Sequence, residues 1–238
     1  MKVELITHTP DPEKLVAAAA RLCYSASEID DLFKNMTDEK AESLIKRLQS
    51  MGHESPFEHI TFTFAVEDVS RVLLAQLTRH RLASYSVQSM RYVHDDFGYV
   101  TPDAIRDDEW CDKYYKYAMD ASFEAYRTLS HHLQNKYMKA GINEKTAEKM
   151  AIEDARYVLP NATCTKIIFT MNARSLFNFF SHRCCERAQK EIRDMADAML
   201  LLVKDVAPTV FRNAGAPCVR GKCPEGALSC GRPKKGVR

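Results

Sequence analysis

Ile60, Phe62, Phe64 and Val66 occupy alternate positions of Ile60–Val66, with only threonine and alanine between them. A period of two fits a strand with one buried face and fits no helix. A second alternation runs from Thr163 to Asn172, placing Ile167, Phe169 and Met171 on one side. Residues 1–7 alternate weakly, and a further extended region is read over 91–101, ending at Pro102. The stretches between change period. Asp11-Pro12 offers an N-cap and a proline at the first helical position, opening a helix through Leu15, the alanine run and Leu22. Thr37 caps another, with Leu44, Ile45 and Leu48 on one face and Gly52 at its end. Asp68 or Ser70 caps a short helix carrying Val72, Leu73, Gln76 and Leu77. Residues 108–140 keep helical spacing through Tyr114, Tyr117, Ala121, Ala125 and Leu129 and stop at Gly141. Asn143 caps the next helix, which Pro160 ends, so Arg156 sits in a last turn. From Asn172 to about 206 the chain reads as helix, bent or broken near Cys184. Strands and helices mix without a βαβ repeat, which predicts an α+β fold over a doubly wound sheet.

The 238 residues suit one large domain or two small ones, and the net charge of +2 points to neither nucleic acid nor membrane. Charge is nevertheless uneven. Beyond residue 211, Arg212, Arg220, Lys222, Arg232, Lys234, Lys235 and Arg238 face the single acid Glu225. The expected organisation is a domain over 1–211 and a basic, Cys/Gly/Pro-rich tail over 212–238. No stretch is long and apolar enough to cross a membrane, and Met1–Ile6 lacks a signal-peptide core, so a cytoplasmic location is expected. Eight cysteines in such a chain read as free thiols or metal ligands before disulfides. Cys23, Cys111, Cys164, Cys184 and Cys185 fall in patterned elements and are expected in the core. Cys218-x4-Cys223-x6-Cys230 departs from short zinc-knuckle spacing. Those three thiols either bind a metal with a fourth ligand or are free, and no metal ligand is assigned.

The most concentrated polar chemistry lies in Arg79–Tyr92. Arg79, His80 and Arg81 stand in a row, followed by Ser84, Ser86, Gln88, Ser89 and Arg91. Guanidinium forks bind phosphate or carboxylate oxygens in pairs, while hydroxyls and backbone N–H groups fill the remaining acceptor positions. A helix C-terminus complemented by cations explains Arg79 and Arg81 but not the hydroxyls and Arg91. The segment therefore reads as an anion site. The eight glycines form neither a Gly-x-Gly-x-x-Gly fingerprint nor a phosphate-binding P-loop. Any dinucleotide must be held by side-chain cations and irregular turns. Ser89 has no base partner visible in the sequence, and an unactivated serine is a poor nucleophile.

Four segments together resemble the flavin-dependent thymidylate synthases: His53-Glu54-Ser55-Pro56-Phe57-Glu58-His59, Arg79-His80-Arg81 with Ser89 and Arg91-Tyr92, Arg156–Thr163, and Asn172–Leu176 followed by Asn178 and Arg183. The similarity covers roughly residues 1–210. It implies a mixed, largely antiparallel central sheet flanked by helices, with long helices in a separate layer that also forms subunit interfaces. It further implies FAD as cofactor, and dUMP, methylenetetrahydrofolate and NADPH as reactants. The implied assembly is a homotetramer with shared active sites, without nucleic acid or membrane partners.

Residue by residue, the resemblance places dUMP on Gln76, Arg79, Val87, Gln88, Ser89, Met90, Arg91, Arg156 and Arg183. The phosphate is to meet arginines and the backbone N–H groups of 88–90. FAD falls to His53, Ser55, Arg79, His80, Arg81, Asn172, Arg174 and Asn178. Arg183 is the expected catalytic residue, because negative charge must build on the uracil ring before C5 becomes nucleophilic, and a guanidinium in a water-poor site stabilises it. Members of the family often carry Asn and Glu where this chain has Ser86 and Val87, so Val87 offers only its backbone. No Pro-Cys-His segment exists for the cysteine-based route of the other thymidylate synthase class. Helical spacing puts Arg174 and Asn178 on one face and Arg183 nearly opposite, so that one helix serves two pockets. The rivals are a nucleic-acid-binding protein using Arg79–Arg91 and the basic tail, and a flavoprotein of the same fold acting on another pyrimidine.

Overall fold

A computed structural model describes residues 1–92 and 98–234. The chain begins with β1 (Lys2–His8), α1 (Pro12–Leu22), α2 (Ile29–Lys34) and α3 (Asp38–Met51). A 3-10 turn over Ser55–His59 leads into β2 (Thr61–Ser70), α4 (Arg71–Leu77) and β3 (Ser84–Val87). Then come α5 (Asp103–Arg106), α6 (Glu109–Lys139), α7 (Glu144–Ala155) and β4 (Cys164–Asn172), and finally α8 (Ala173–Arg183), α9 (Lys190–Val206) and α10 (Pro208–Phe211). The four strands form one antiparallel sheet in the order β1-β2-β4-β3, and the fold is α+β as expected.

Two compact units share the chain: residues 1–66, 76–86 and 168–238 in the first, and 67–75 and 87–167 in the second. The chain passes between them inside β2, α4, β3 and β4. In the first unit Phe62, Phe64, Phe169 and Met171 are buried from the strands, and Leu176, Phe179, Phe180, Ile192, Met195 and Met199 from α8 and α9. Phe211 closes this core, its ring 5.3 Å from Phe62 and 5.5 Å from Phe177 in edge-on contacts. In the second unit α6 packs along α7, burying Met119, Tyr126, Ala147, Ala151 and Ile152.

Several boundaries follow their predicted signals. The Thr37 hydroxyl accepts from the Lys40 N–H, and Asn143 Oδ1 accepts from Thr146 N–H. Gly52 (φ 71°) ends α3 in the left-handed conformation, with the His53 N–H returning to the Leu48 carbonyl at 3.0 Å. Ser70, rather than Asp68, caps α4, its hydroxyl accepting from Leu73 N–H at 3.1 Å.

Three expectations need correction. Asp11 precedes Pro12 as predicted, but its backbone is left-handed (φ 44°) and its side chain makes no cap hydrogen bond. The extended region expected over 91–101 lies partly outside the described residues. Of the rest, Arg91 and Tyr92 form a turn and Tyr99 alone makes an isolated bridge, to Thr163. The strand is β3 instead, inside the anion segment. The helix expected over 108–140 is α6, whose spaced residues are largely uncovered within this chain, with Tyr114 57% and Tyr117 73% exposed. Of the five cysteines expected in the core, only Cys184 is buried; Cys23 is exposed and Cys111, Cys164 and Cys185 are intermediate.

Candidate active site

The cationic turn after α4 is fixed by one side chain. Tyr85, on β3, donates its hydroxyl to the carbonyls of His80 (2.7 Å) and Leu77 (2.9 Å), and burial pushes its phenol up to about 12. His80 N–H also returns to the Leu77 carbonyl at 3.0 Å. Arg79, His80 and Arg81 therefore leave the helix end in a defined arc. The His80 ring stands edge-on to Phe179, and its Nε2 is buried without a hydrogen-bond partner. Burial, then the charges of Arg183 and His182, hold its pKa below the usual 6.5, so the imidazole is neutral at pH 7.

Asn172 caps α8, its Oδ1 accepting from Ser175 N–H at 2.8 Å, which leaves the amide NH₂ for a ligand. Two residues further on, Arg174 pairs with both carboxylates of the 53–59 segment: Nη1 with Glu58, and Nε with Glu54 at 3.5 Å. These two acids raise the Arg174 pKa, Glu58 foremost. Around these groups lies a recess of about 920 Å³, lined by Arg79, His80, Arg81, Asn172, Arg174 and Asn178 among others. Six of the eight residues matched to FAD thus meet on one concave surface. Unpaired guanidiniums, a free amide and an orphaned imidazole nitrogen suit an anionic, hydrogen-bonding dinucleotide. His53 lines a smaller adjoining recess of about 150 Å³ with Phe57 and Phe177. Ser55 opens the 3-10 turn, is exposed and lines neither recess.

Arg183 belongs to a different recess, of about 700 Å³, which shares Arg79, His80, Asn178 and Ser181 with the larger one. Its Nη2 donates to the Gln76 carbonyl at 3.2 Å, and the Gln76 amide donates to Gln189 Oε1 at 2.7 Å. Arg174 and Arg183 accordingly serve separate concavities from one helix, with Asn178 common to both.

The remaining nucleotide-matched residues lie in the second unit. Val87 ends β3, and the Gln88 N–H donates to the Lys166 carbonyl at 2.9 Å. The expectation that this N–H meets a phosphate is thereby corrected, because sheet pairing already uses it. Ser89 Oγ accepts from the Arg91 N–H at 3.1 Å, which makes this serine a turn former, and Met90 lies within the same turn. Arg91 pairs with Glu153 at 2.7 Å. Arg156 starts the 3-10 turn after α7. Arg71, which sequence reasoning passed over, has a buried Nε without a hydrogen-bond partner. Its pKa is lowered by burial and then by the charge of Arg156.

The family model described as thymidylate synthase complementing protein matches residues 4–209. A Clostridium tetani protein named flavin-dependent thymidylate synthase is 54% identical over 233 residues, covering 98% of this chain and 94% of its own. Proteins of the same name from Geobacter sulfurreducens and Saccharolobus solfataricus are 47% and 41% identical, over 98% and 92% of this chain and 94% and 78% of theirs. The chain belongs to the thymidylate synthase complementing protein family. Within this member, the acids Glu54 and Glu58 and the tyrosine Tyr85 were visible as letters but not as parts of the site. Glu58 and Arg174 are 116 positions apart, so only the fold reveals their pairing.

The tail expected as a separate segment contributes Cys218, Cys223 and Cys230 to the recess of Arg183, together with Cys185. None of the eight cysteines forms a disulfide, and among the described residues no cluster of three or more His, Cys, Asp or Glu is arranged to hold a metal.

Proposed function

We propose that this enzyme converts dUMP to dTMP by reductive methylation, with methylenetetrahydrofolate as carbon donor and FAD reduced by NADPH. Membership of the family and the shared name of the relatives support dTMP synthesis with a flavin. The observation that carries the reading is the recess of about 920 Å³ lined by six of the residues matched to FAD. Bound FAD supplies hydride taken from NADPH.

The chain's own residues do the rest. Arg79, Arg81 and Arg174 attract the dinucleotide's negative charge, Asn172 and Asn178 orient it by hydrogen bonds, His53 lies against the flavin ring, and Ser55 adds a contact from the start of the 3-10 turn. His80, neutral because it is half-buried beside Arg183, adds a hydrogen-bonding nitrogen without adding charge. Arg183 lies against the pyrimidine and stabilises the negative charge that makes C5 nucleophilic; its bond to the Gln76 carbonyl aims the guanidinium. Arg79, Arg91 and Arg156 meet the nucleotide phosphate, with Ser89 and the N–H groups of Ser89 and Met90, while Gln76, Val87 and Gln88 border the nucleoside. Gln76, Arg79 and Arg183 lie in the first unit, and Val87–Arg91 and Arg156 in the second. A homotetramer in which subunits contribute jointly to each site suits that division, and the enzyme acts in the cytoplasm.

The test is an absorbance spectrum of the purified protein, followed by anaerobic NADPH with and without dUMP. Flavin bands that bleach, and bleach faster with dUMP, are expected. A protein that takes up no FAD and ignores dUMP would overturn the reading.

A further inference from the structure

Arg220 is the one tail residue shared by the recess of about 920 Å³ and the smaller one that contains His53. The larger recess holds Arg79, Arg81, Arg174 and Arg220 against Glu54 and Glu58, and both acids are paired with Arg174. Among the described residues no carboxylate pairs with Arg79, Arg81 or Arg220. Like charges gathered around a concavity repel one another until an anion joins them.

The tail holds Arg220 in place by several independent ties. Gly215 adopts φ 129°, and a Cβ there would stand 3.5 Å from Leu200 of α9, so the chain enters the tail pressed against that helix. A 3-10 turn over Pro217–Val219 follows, with the Arg220 N–H closing onto the Pro217 carbonyl at 3.2 Å. At the far end the Lys234 N–H donates to Cys218 Sγ at 3.3 Å, which closes 218–234 into a loop. The Lys234 side chain, only 17% exposed, pairs with Asp197 and lies 3.8 Å from Glu186. Midway, Arg187 and Glu225 pair at 2.6 Å.

We propose that Arg220 is a cofactor-binding residue: its guanidinium takes the pyrophosphate of the flavin dinucleotide, and the loop 218–234, anchored by Lys234, positions it. The proposal rests on the flavin reading above and extends it to a segment beyond the stretch matched by the family model, which ends at 209. Guanidinium is suited to this role because it binds two phosphate oxygens at once, and lysine reproduces the charge but not the fork.

The experiment titrates full-length, flavin-stripped protein with FAD and, separately, with riboflavin, which has the ring system without phosphates; flavin fluorescence reports binding. Arg220→Ala should weaken FAD about tenfold, the worth of a charge-assisted hydrogen bond, and leave riboflavin unchanged. Arg220→Lys should fall between. Lys234→Met should weaken FAD less, and trypsin should cut faster at Lys222. Unchanged FAD affinity in Arg220→Ala overturns the assignment, and an equal loss for riboflavin does so too. Unaltered proteolysis of Lys234→Met removes the anchoring role. If the unsubstituted protein binds no FAD, the function reading fails instead.

Discussion

The residues matched to the flavin and those matched to the nucleotide are prepared very differently. All eight flavin residues belong to one compact unit, and six line a single recess. The nucleotide residues are divided over two units, and several are already engaged: Gln88 N–H in the sheet, Arg91 on Glu153, Ser89 on the Arg91 N–H. One side is a cationic cavity within one compact unit. The other, on the proposed reading, is a set of groups that exchange protein partners for ligand. A preassembled cavity pays its ordering entropy at folding, whereas an unassembled set pays it at binding.

The sharpest break of this comparison is Arg183→Ala. Arg183 lines the recess of about 700 Å³ and not the one of about 920 Å³. Removing a preorganised donor at the developing charge should lower the rate of dTMP formation about 10²–10³-fold. Flavin content should stay at the level of the unsubstituted enzyme. Loss of flavin alongside activity would show that the two recesses are not functionally separate.

Arg174→Ala comes next. The substitution removes a guanidinium and also strands Glu54 and Glu58, whose charges then repel the dinucleotide. Affinity for FAD should drop by about 10²-fold, near the upper end of what one charged hydrogen bond is worth. Adding Glu58→Gln should recover part of the loss, as equilibrium titration can show. No recovery would mean that Glu58 does not set the local field.

Tyr85→Phe tests how the cationic turn is held. The His80 carbonyl loses its donor and the Leu77 carbonyl keeps only the His80 N–H, so stability should fall by about 1–2 kcal/mol in denaturant unfolding, with weaker FAD binding accompanying it. A stable variant that still binds flavin normally would show that the backbone alone fixes the arc.

His80 gives a smaller, pH-dependent signal. Its folded pKa is depressed below 6.5, so below that value the unfolded chain takes up the proton first. The stability that neutral His80 contributes is present above pH 6.5 and is lost as pH falls through its folded pKa. His80→Gln should flatten this part of the stability profile, measured by melting temperature between pH 7 and 5. An unchanged slope would assign the acid sensitivity elsewhere.

The same contrast governs what the sequence disclosed. Alternation at 60–66 and 163–172, the Thr37 and Asn143 caps and the four motifs led to the fold class and family, because each is a local pattern. β3 escaped notice because Ser84–Val87 is four residues long and half serine, inside a stretch read as an anion site. The spacing of α6 led to the helix itself but not to its exposure, because a 3.6-residue period marks an apolar stripe and not what covers it. Cysteines were placed inside by residue type, and five patterned positions yielded one buried thiol. Glu58 with Arg174, Gln88 with Lys166 and Arg220 with His53 are tertiary meetings that spacing does not encode.

Glu153→Gln should give the smallest effect and asks whether the nucleotide side is engaged or merely aimed. Arg91 and Glu153 side chains are 45% and 41% exposed, so their pair is worth only about 0.2–1 kcal/mol to folding. The substitution should shift stability within that range. If Glu153 competes with the nucleotide phosphate for Arg91, neutralising it should tighten dUMP binding about two- to threefold at low salt. The gain should vanish at high ionic strength, where exposed charges are screened. Weaker binding would reverse the inference: Glu153 would then hold Arg91 in the orientation the phosphate needs. The nucleotide side would be preorganised like the flavin side, with an acid playing the part that Glu58 plays for Arg174.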